Sequence, residues 1–385
     1  MKKIQQLNFK GQIFYIGIDV HSTSWKITVR SKGLTLLTKS IDPKPITLKK
    51  FMESRYPGGT YISVYEAGFS GYWAHRELEL LGFKNIIVNP ADVPTTHKEK
   101  DRKNDPIDSN KLSRELANNS FKGIYIPSVK MESIRVLSRN LRQYSKRSTQ
   151  VKNRIKALLY FIGLNDQADV YKHWSNAYIK KISEITFPDL NHKTVMDVHI
   201  KELKHIRTIQ LSLLRHMREE SKKIPEIGLL TTIPGIGQTT AFTVYAELFD
   251  INRFQTFDNL ASYVGLVPST SSSNDKTITH GMTNRHSGYL RYMLIESAWV
   301  AARKDPVLTK SFEDLHRRMS KPRAIVRIAK KLLNRIRAVW KNNEKYQLGT
   351  IETDRNQKSK EKRIETDSID KKLKESTARQ KKKAV

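Results

Sequence analysis

The chain has 385 residues, 38% hydrophobic and 28% charged, with a formal net charge of +32. It contains no cysteine, which excludes disulfides, thiolate metal sites and a cysteine nucleophile. No apolar run approaches the ~18 residues that read as a membrane span, and the opening MKKIQQLNFKGQIFYIGIDV has neither the apolar stretch nor the cleavage site of an export signal.

The charge is not confined to a tail. Residues 350–385 account for only +5, so +27 lies on the rest of the chain. Such an excess repels itself unless a polyanion binds, and nucleic acid is the default polyanion. A membrane surface is the weaker partner, because no strongly amphipathic terminal helix stands out. The lack of cysteine fits a reducing cytoplasm.

In chain order, IFYIGIDV (13–20) reads as a buried strand, followed by WKITVRS (25–31) and LTLLTKS (34–40) as antiparallel neighbours joined at Lys32-Gly33. A helix is expected over 47–55, a strand over 60–67, a helix over 71–82, a strand over 85–90 stopped by Pro90, and a helix from Pro106 to Ala117. Three strands, helix, strand, helix, strand, helix is the order of an RNase H-like α/β layer. From 126 to 225 the pattern turns helical. Ile134, Leu137, Leu141, Tyr144, Val151, Ile155 and Leu158 fall on heptad positions with Ser148 in the one polar slot, and a second stretch (198–222) carries Ile200, Leu203, Ile206, Leu213 and Met217. Two such helices could form an antiparallel hairpin within the chain or a coiled coil between copies. A mainly helical unit with one irregular stretch at 265–285 follows. The tail is polar and charged, and disorder is expected there. The expected division is therefore 1–125, 126–225, 226–347 and a tail at 348–385.

Four carboxylates stand out. Asp19 interrupts an apolar strand, where a carboxylate is costly to bury unless it is paired or binds a metal. Glu66 ends another strand just before AGFSGY. Asp105 and Asp108, three apart in RKNDPIDSNK, lie on one face of a helix start amid Lys98, Lys100, Arg102 and Lys103. Capping and helix-end charge explain Asp105 and Asp108 individually, and pairing with the lysines is a third reading. Taken with the strand order, four acids converging at one end of the sheet could hold two divalent cations, Mg²⁺ or Mn²⁺. The surrounding cations would then draw phosphate to a site whose own acids repel it.

Further on, TTIPGIGQTTA resembles a helix-hairpin-helix turn, whose glycines Gly235 and Gly237 let backbone N–H groups approach a phosphate. VPSTSSSN is a run of hydroxyls, read either as a flexible linker or as a nucleophile loop. Arg285 and Arg291 follow it, as guanidinium groups that could offset charge on a phosphate under attack. His280 and His286 are possible bases.

The ordered set YIGIDVHSTSWKITV, YEAGFSGYW, VNPADVP…DRKNDPIDSNKLSREL, TTIPGIGQTTA and ASYVGLVPSTSSSN…GMTNRHSGYLRYMLIESAW resembles the DEDD transposases of the insertion-sequence one-ten family, relatives of the Piv DNA invertases, over residues 12–345. The resemblance implies a RuvC-like N-terminal domain with Asp19, Glu66, Asp105 and Asp108 as the catalytic acids, and a C-terminal transposase domain with a catalytic serine. Counting from the family's GL-x-P places that serine at Ser273, followed here by Asn274 where the family usually has glycine. The triplet Ser271, Ser272, Ser273 makes Ser272 the second candidate. The resemblance further implies a 5′-phosphoserine link to DNA, Mg²⁺ at the four acids, donor and target DNA paired with a guide (bridge) RNA, and a dimer or tetramer with composite sites. Two other functions compete: a RuvC-like metal-dependent endonuclease that activates water without a covalent intermediate, and a non-catalytic nucleic-acid-binding scaffold.

Overall fold

The computed structural model describes residues 8–94, 105–120, 122–164, 166, 173–273, 276–283 and 287–349; the side chains of 105–107 and 269–280 are not among what it describes. Lys98, Lys100, Arg102, Lys103, Arg285, His286 and the tail expected to be disordered from 350 onward lie outside these residues. The chain divides into two compact units, 1–126 and 127–385.

In the first unit, β1 (Ile13–Val20), β2 (Trp25–Ser31), β3 (Leu34–Ile41), β4 (Thr60–Glu66) and β5 (Lys84–Val88) form one sheet in the order β3-β2-β1-β4-β5. β1 runs antiparallel to β2 and parallel to β4, and β4 runs parallel to β5. This is an RNase H-like mixed sheet. Its central strands read as nearly continuous apolar runs because both faces are covered. Phe14, Ile16, Ile18, Trp25, Ile27 and Val29 are buried on one core together with Leu48 and Met52 of α1 (Pro45–Arg55) and Ala74 and Leu78 of α2 (Trp73–Leu80). Val64, Val88, Leu112 and Leu116 form a smaller core under α3 (Asp105–Ala117). Burying each of those two leucines contributes about 1.5–3 kcal/mol toward holding α3 on the sheet.

The second unit begins with α4 (Val129–Phe161), capped by the Ser128 hydroxyl, which accepts from the Met131 N–H. It packs along α6 (Leu190–Lys222). Lys130 meets Glu220, Gln210 donates to Ser145 at 3.3 Å, and Arg154 approaches Glu202 at 3.9 Å, so the two helices run antiparallel. Of the two arrangements open from the sequence, the hairpin is formed within the chain. α6 starts eight residues earlier than the apolar spacing suggested, because Asp189 caps it by accepting from the Asn191 N–H at 2.7 Å. Between the two lies a short helix that the periodicity did not reveal, α5 (Asn176–Ser183), whose Tyr178, Ile179 and Ile182 complete a core with Val151, Ile155, Leu159, Met196, Ile200 and Leu203.

The rest of the unit packs α7 (Pro225–Leu230), α8 (Gln238–Leu248), α9 (Phe257–Val264), α10 (Gly288–Lys304), α11 (Pro306–His316) and α12 (Lys321–Asn342) around one large apolar core. The stretch expected to be irregular at 265–285 is instead a β-hairpin, β6 (Pro268–Ser273) paired antiparallel with β7 (Lys276–Met282). Its Ser/Thr-rich composition hid it: hydroxyl side chains suppress the apolar alternation by which a strand is recognised, although threonine suits a strand well. No described helix is long and apolar enough to cross a membrane.

Candidate active site

The sheet register brings the first two acids together. Ile18 on β1 pairs with Tyr65 on the parallel strand β4, so Asp19 and Glu66 follow at the same end of adjacent strands. The third comes from α3, which lies across β1 and β2. That approach depends on Gly17: a Cβ built there would stand 2.0 Å from the Ser109 carbonyl oxygen and 2.5 Å from the Ser113 nitrogen, both in α3. The buried Ser109 and Thr28 hydroxyls hydrogen-bond at 2.8 Å, and Arg30 donates to Asn110 at 3.1 Å, fixing the helix against β2.

The result is a cavity of about 180 Å³ lined by Asp19, Glu66 and Asp108 together with Ile18, Leu112 and the 67–70 turn. The turn is pinned: the Tyr65 hydroxyl donates to the Gly71 carbonyl at 3.1 Å and accepts from the His75 N–H at 3.2 Å, and Gly71 N–H donates to the Gly68 carbonyl. Its glycine at position 71 has φ +57°, a left-handed conformation that glycine adopts at little cost. Phe69 stands exposed at the cavity rim. Asp105 begins α3 one turn before Asp108, with Pro106 next; its side chain is not among those described.

A histidine and a lysine flank the cavity acids. His21 Nε2 lies 3.1 Å from Asp19 Oδ2, and the buried Lys111 places Nζ 3.8 Å from Asp108 Oδ1. The lysine reading of Asp108 is thus part of the structure, with a partner one turn along its own helix. His21 is missed by the sequence reading; its place two residues after the strand acid Asp19 is the signal available. Three carboxylates without a thiolate or imidazole on the cavity wall suit a hard divalent cation by donor chemistry. As placed, no group of three or more His, Cys, Asp or Glu among the described residues is gathered tightly enough to form a cage.

The other predicted residues lie in the second unit. Ser273 is the last residue of β6, and Ser272 and Ser273 pair with Thr277 and Lys276 of β7. Gly235 has φ +88°, and a Cβ there would lie 2.5 Å from the Ser297 carbonyl oxygen and 2.8 Å from the Ala301 nitrogen of α10. Close packing of the turn on α10 is therefore one reason for this glycine. Gly237 caps α8 with open space around it. Arg291 directs its guanidinium toward the carbonyls of Gly265 (3.5 Å) and Thr283 (3.4 Å), bracing the ends of the segment that contains the hairpin. Beneath this region Glu247 is buried between Arg135 and Arg139 at 2.8 and 2.9 Å. Burial alone would raise its pKa, but hydrogen bonding from Arg139 and the charges of both guanidinium groups hold it below the usual carboxylate value.

Comparison with known families bears on this arrangement. The profile of DEDD-type IS110 transposases, described as Transposase, matches residues 16–163, which contain all four acids. The profile described as Transposase IS116/IS110/IS902 family matches residues 228–313, which contain the serine hairpin. The chain belongs to the IS116/IS110/IS902 transposase family. A putative transposase y4rJ of Sinorhizobium fredii is 25% identical over 376 residues, covering 86% of this chain and 91% of that protein. The transposase for insertion sequence element IS1111A of Coxiella burnetii is 25% identical over 286 residues, covering 73% and 78% of the two chains. The transposase for insertion sequence element IS1328 of Yersinia enterocolitica is 24% identical, covering 74% and 83%. This transposase is a DNA-processing enzyme, and a nuclease-type domain with four acids is of the kind that uses a divalent metal ion.

Proposed function

We propose that this transposase moves an insertion sequence by site-specific breakage and rejoining of DNA through a serine nucleophile, with Asp19, Glu66, Asp105 and Asp108 holding Mg²⁺ or Mn²⁺. The observation that carries the reading is the cavity at the sheet end, whose wall contains three of those acids. Ser273 Oγ attacks a DNA phosphorus and loses its proton; the bond to the 3′ oxygen breaks, leaving a free 3′ hydroxyl and a 5′-phosphoserine ester. Attack on that ester by the 3′ hydroxyl of a second strand reverses the chemistry, returns the serine and joins the new ends. A divalent cation would stabilise negative charge on the phosphate and its leaving oxygen. Asp19, Glu66, Asp105 and Asp108 would hold it, and the pinned 67–70 turn keeps the cavity wall in place. Lys111 beside Asp108 tempers the repulsion between the acids and an incoming phosphate.

Specificity in this reading comes from a guide RNA that pairs with donor and target DNA, and the transposase acts as a homo-oligomer, a dimer or tetramer. The excess of +27 outside the last 36 residues supports extensive phosphate contact. The cavity acids can equally activate water, so the decisive experiment traps the protein on a nicked suicide substrate containing element-end DNA. A covalent adduct that Ser273→Ala abolishes and Ser272→Ala leaves intact supports the proposal. Free cleaved ends, with Ser273→Ala fully active, would make the enzyme a water-activating endonuclease instead. Sequencing the RNA that co-purifies with the protein tests the guide: a transcript from beside the gene is expected, and random cellular RNA would contradict it.

A further inference from the structure

The last helix, α12, reads KPRAIVRIAKKLLNRIRAVWKN: eight Lys or Arg and no acid in 22 residues. Its inner face carries Ala324, Ile325, Ile328, Ala329, Leu332, Leu333, Ile336, Val339 and Trp340, all buried in the large core of the second unit. Arg323, Arg327, Lys331 and Lys341 are left exposed on the outside. We propose that this outer face of α12 is a binding surface for the phosphate backbone of duplex DNA.

Some charges elsewhere in the unit are paired within the fold. Glu220 is held by Lys130 and Lys223, Glu247 by Arg135 and Arg139, and Lys193 pairs with Asp197 at 2.8 Å. On α12 only the flanks are neutralised: Arg335 lies 3.3 Å from Asp305, and Lys330 lies 3.5 Å from Asp258. Lys331 reaches only the Ser311 hydroxyl, at 2.9 Å. Among the described residues Lys321, Arg323, Arg327 and Lys341 have no ion-pair partner. Arg323, Arg327 and Lys331 follow one another at i,i+4, as do Arg337 and Lys341, and like charges at that spacing destabilise a helix. The first turn carries Lys321 and Arg323 and no acid, the reverse of what the helix dipole favours. A helix built against its own electrostatics on one face, and anchored by an apolar face, needs an external anion to offset that face.

The form of the surface selects the anion. Arg323, Arg327 and Lys331 step by four residues, about 6 Å along the axis, Lys341 follows ten residues on, and the four span roughly 27 Å. Over that length a DNA duplex presents about 16 phosphate charges. Asn334 and Ala338 fill the intervening outer positions, and the apolar face that a membrane helix would give to lipid is already buried in the core. A row of point charges with little apolar surface between them suits a repeating phosphate chain. This inference rests on the reading of the chain as a nucleic-acid enzyme and locates one part of its contact.

The test uses the full-length protein, a variant with Arg323→Gln, Arg327→Gln, Lys331→Gln and Lys341→Gln together, and a charge-preserving control with Arg323→Lys and Arg327→Lys. Dissociation constants are measured against salt for a duplex DNA and for an RNA hairpin. Neutralising four phosphate contacts should reduce the log–log salt slope by about 3 to 4 for the duplex, while the lysine control keeps the parent slope. Reduction with the duplex supports the proposal; reduction with the RNA hairpin alone overturns it and puts RNA on α12 instead. A melting temperature equal to or above that of the parent establishes that the fold is intact, as expected when like charges are removed. An unchanged slope with both nucleic acids overturns the proposal, as does binding to phosphatidylserine vesicles that the glutamine variant loses while its nucleic-acid slopes stay the same. A parent slope near zero would overturn the broader nucleic-acid reading instead.

Discussion

Replacing Gly17 by alanine should separate the acids without touching any of them. The new methyl would sit 2.0 Å from the Ser109 carbonyl oxygen, whereas ordinary contact begins near 3.4 Å, so α3 must withdraw from β1 by more than an ångström. Both nearest atoms are helix backbone, and no side-chain rotation relieves the clash. Overpacking of this kind costs about 1–3 kcal/mol, and loss of the buried Thr28–Ser109 hydrogen bond adds about 1 kcal/mol. A total near 3 kcal/mol lowers the melting temperature of a unit this size by roughly 10 °C. The catalytic effect should be larger than the stability effect suggests, because Asp108 rides on α3, and a displacement of about 1 Å at a reacting centre can cost on the order of 100-fold in rate. Denaturant melts and cleavage of element-end DNA, run where both proteins are folded, measure the two effects separately. Equal midpoints and equal rates for Gly17→Ala and parent would refute the claim that this close approach builds the site.

Two glycines of the second unit should respond in opposite directions to alanine. Gly235→Ala places a methyl against Ser297 and Ala301 at a positive φ and should destabilise by at least about 2 kcal/mol; Gly228→Ala, in α7 with no atom within 4 Å, should stabilise by about 0.4–1 kcal/mol. Denaturant midpoints read both. Glu247, its pKa depressed in the folded state, contributes stability that is fully present above the ordinary carboxylate value near 4.3 and is lost as pH falls below it. Glu247→Gln should cost about 3 kcal/mol at pH 7, leaving the partly buried Arg135 without its counter-ion, and the gap between variant and parent midpoints should narrow below pH 4. Glu220, held down to about 2 by hydrogen bonds from Lys130 and Lys223, adds an acid-side loss of the same sign; in Glu220→Gln the fall in melting temperature from pH 5 to pH 2 should be smaller than in the parent.

The sheet of the first unit was legible because its strands are apolar runs bounded by turn residues: the expected 13–20 and 25–31 coincide with β1 and β2, and 34–40 falls one residue short of β3. Local chemistry was enough there. It failed where the decisive contact is distant in sequence or the strand is polar. The β6–β7 hairpin is written in serine and threonine, which read as loop. α5 is only eight residues long and acquires its stability from Val151 and Met196 on the long helices. Asp19, Glu66 and Asp108 could be singled out because carboxylates in such positions require a reason. Gly17, Thr28, Ser109 and Tyr65, which position those carboxylates, could not, since each acts through a partner that only the fold supplies.

Divalent-ion binding tests the proposed site most directly, because it does not depend on finding the right DNA. Titration of the full-length protein with Mn²⁺, followed by calorimetry or by loss of the free-ion resonance signal, should show saturable binding that Asp19→Asn and Glu66→Gln each weaken at least tenfold. Their melting temperatures without the ion should match or exceed that of the parent. Parent and variants binding Mn²⁺ alike would leave the cavity at the end of β1 and β4 without its ion and contradict the account of how this transposase works.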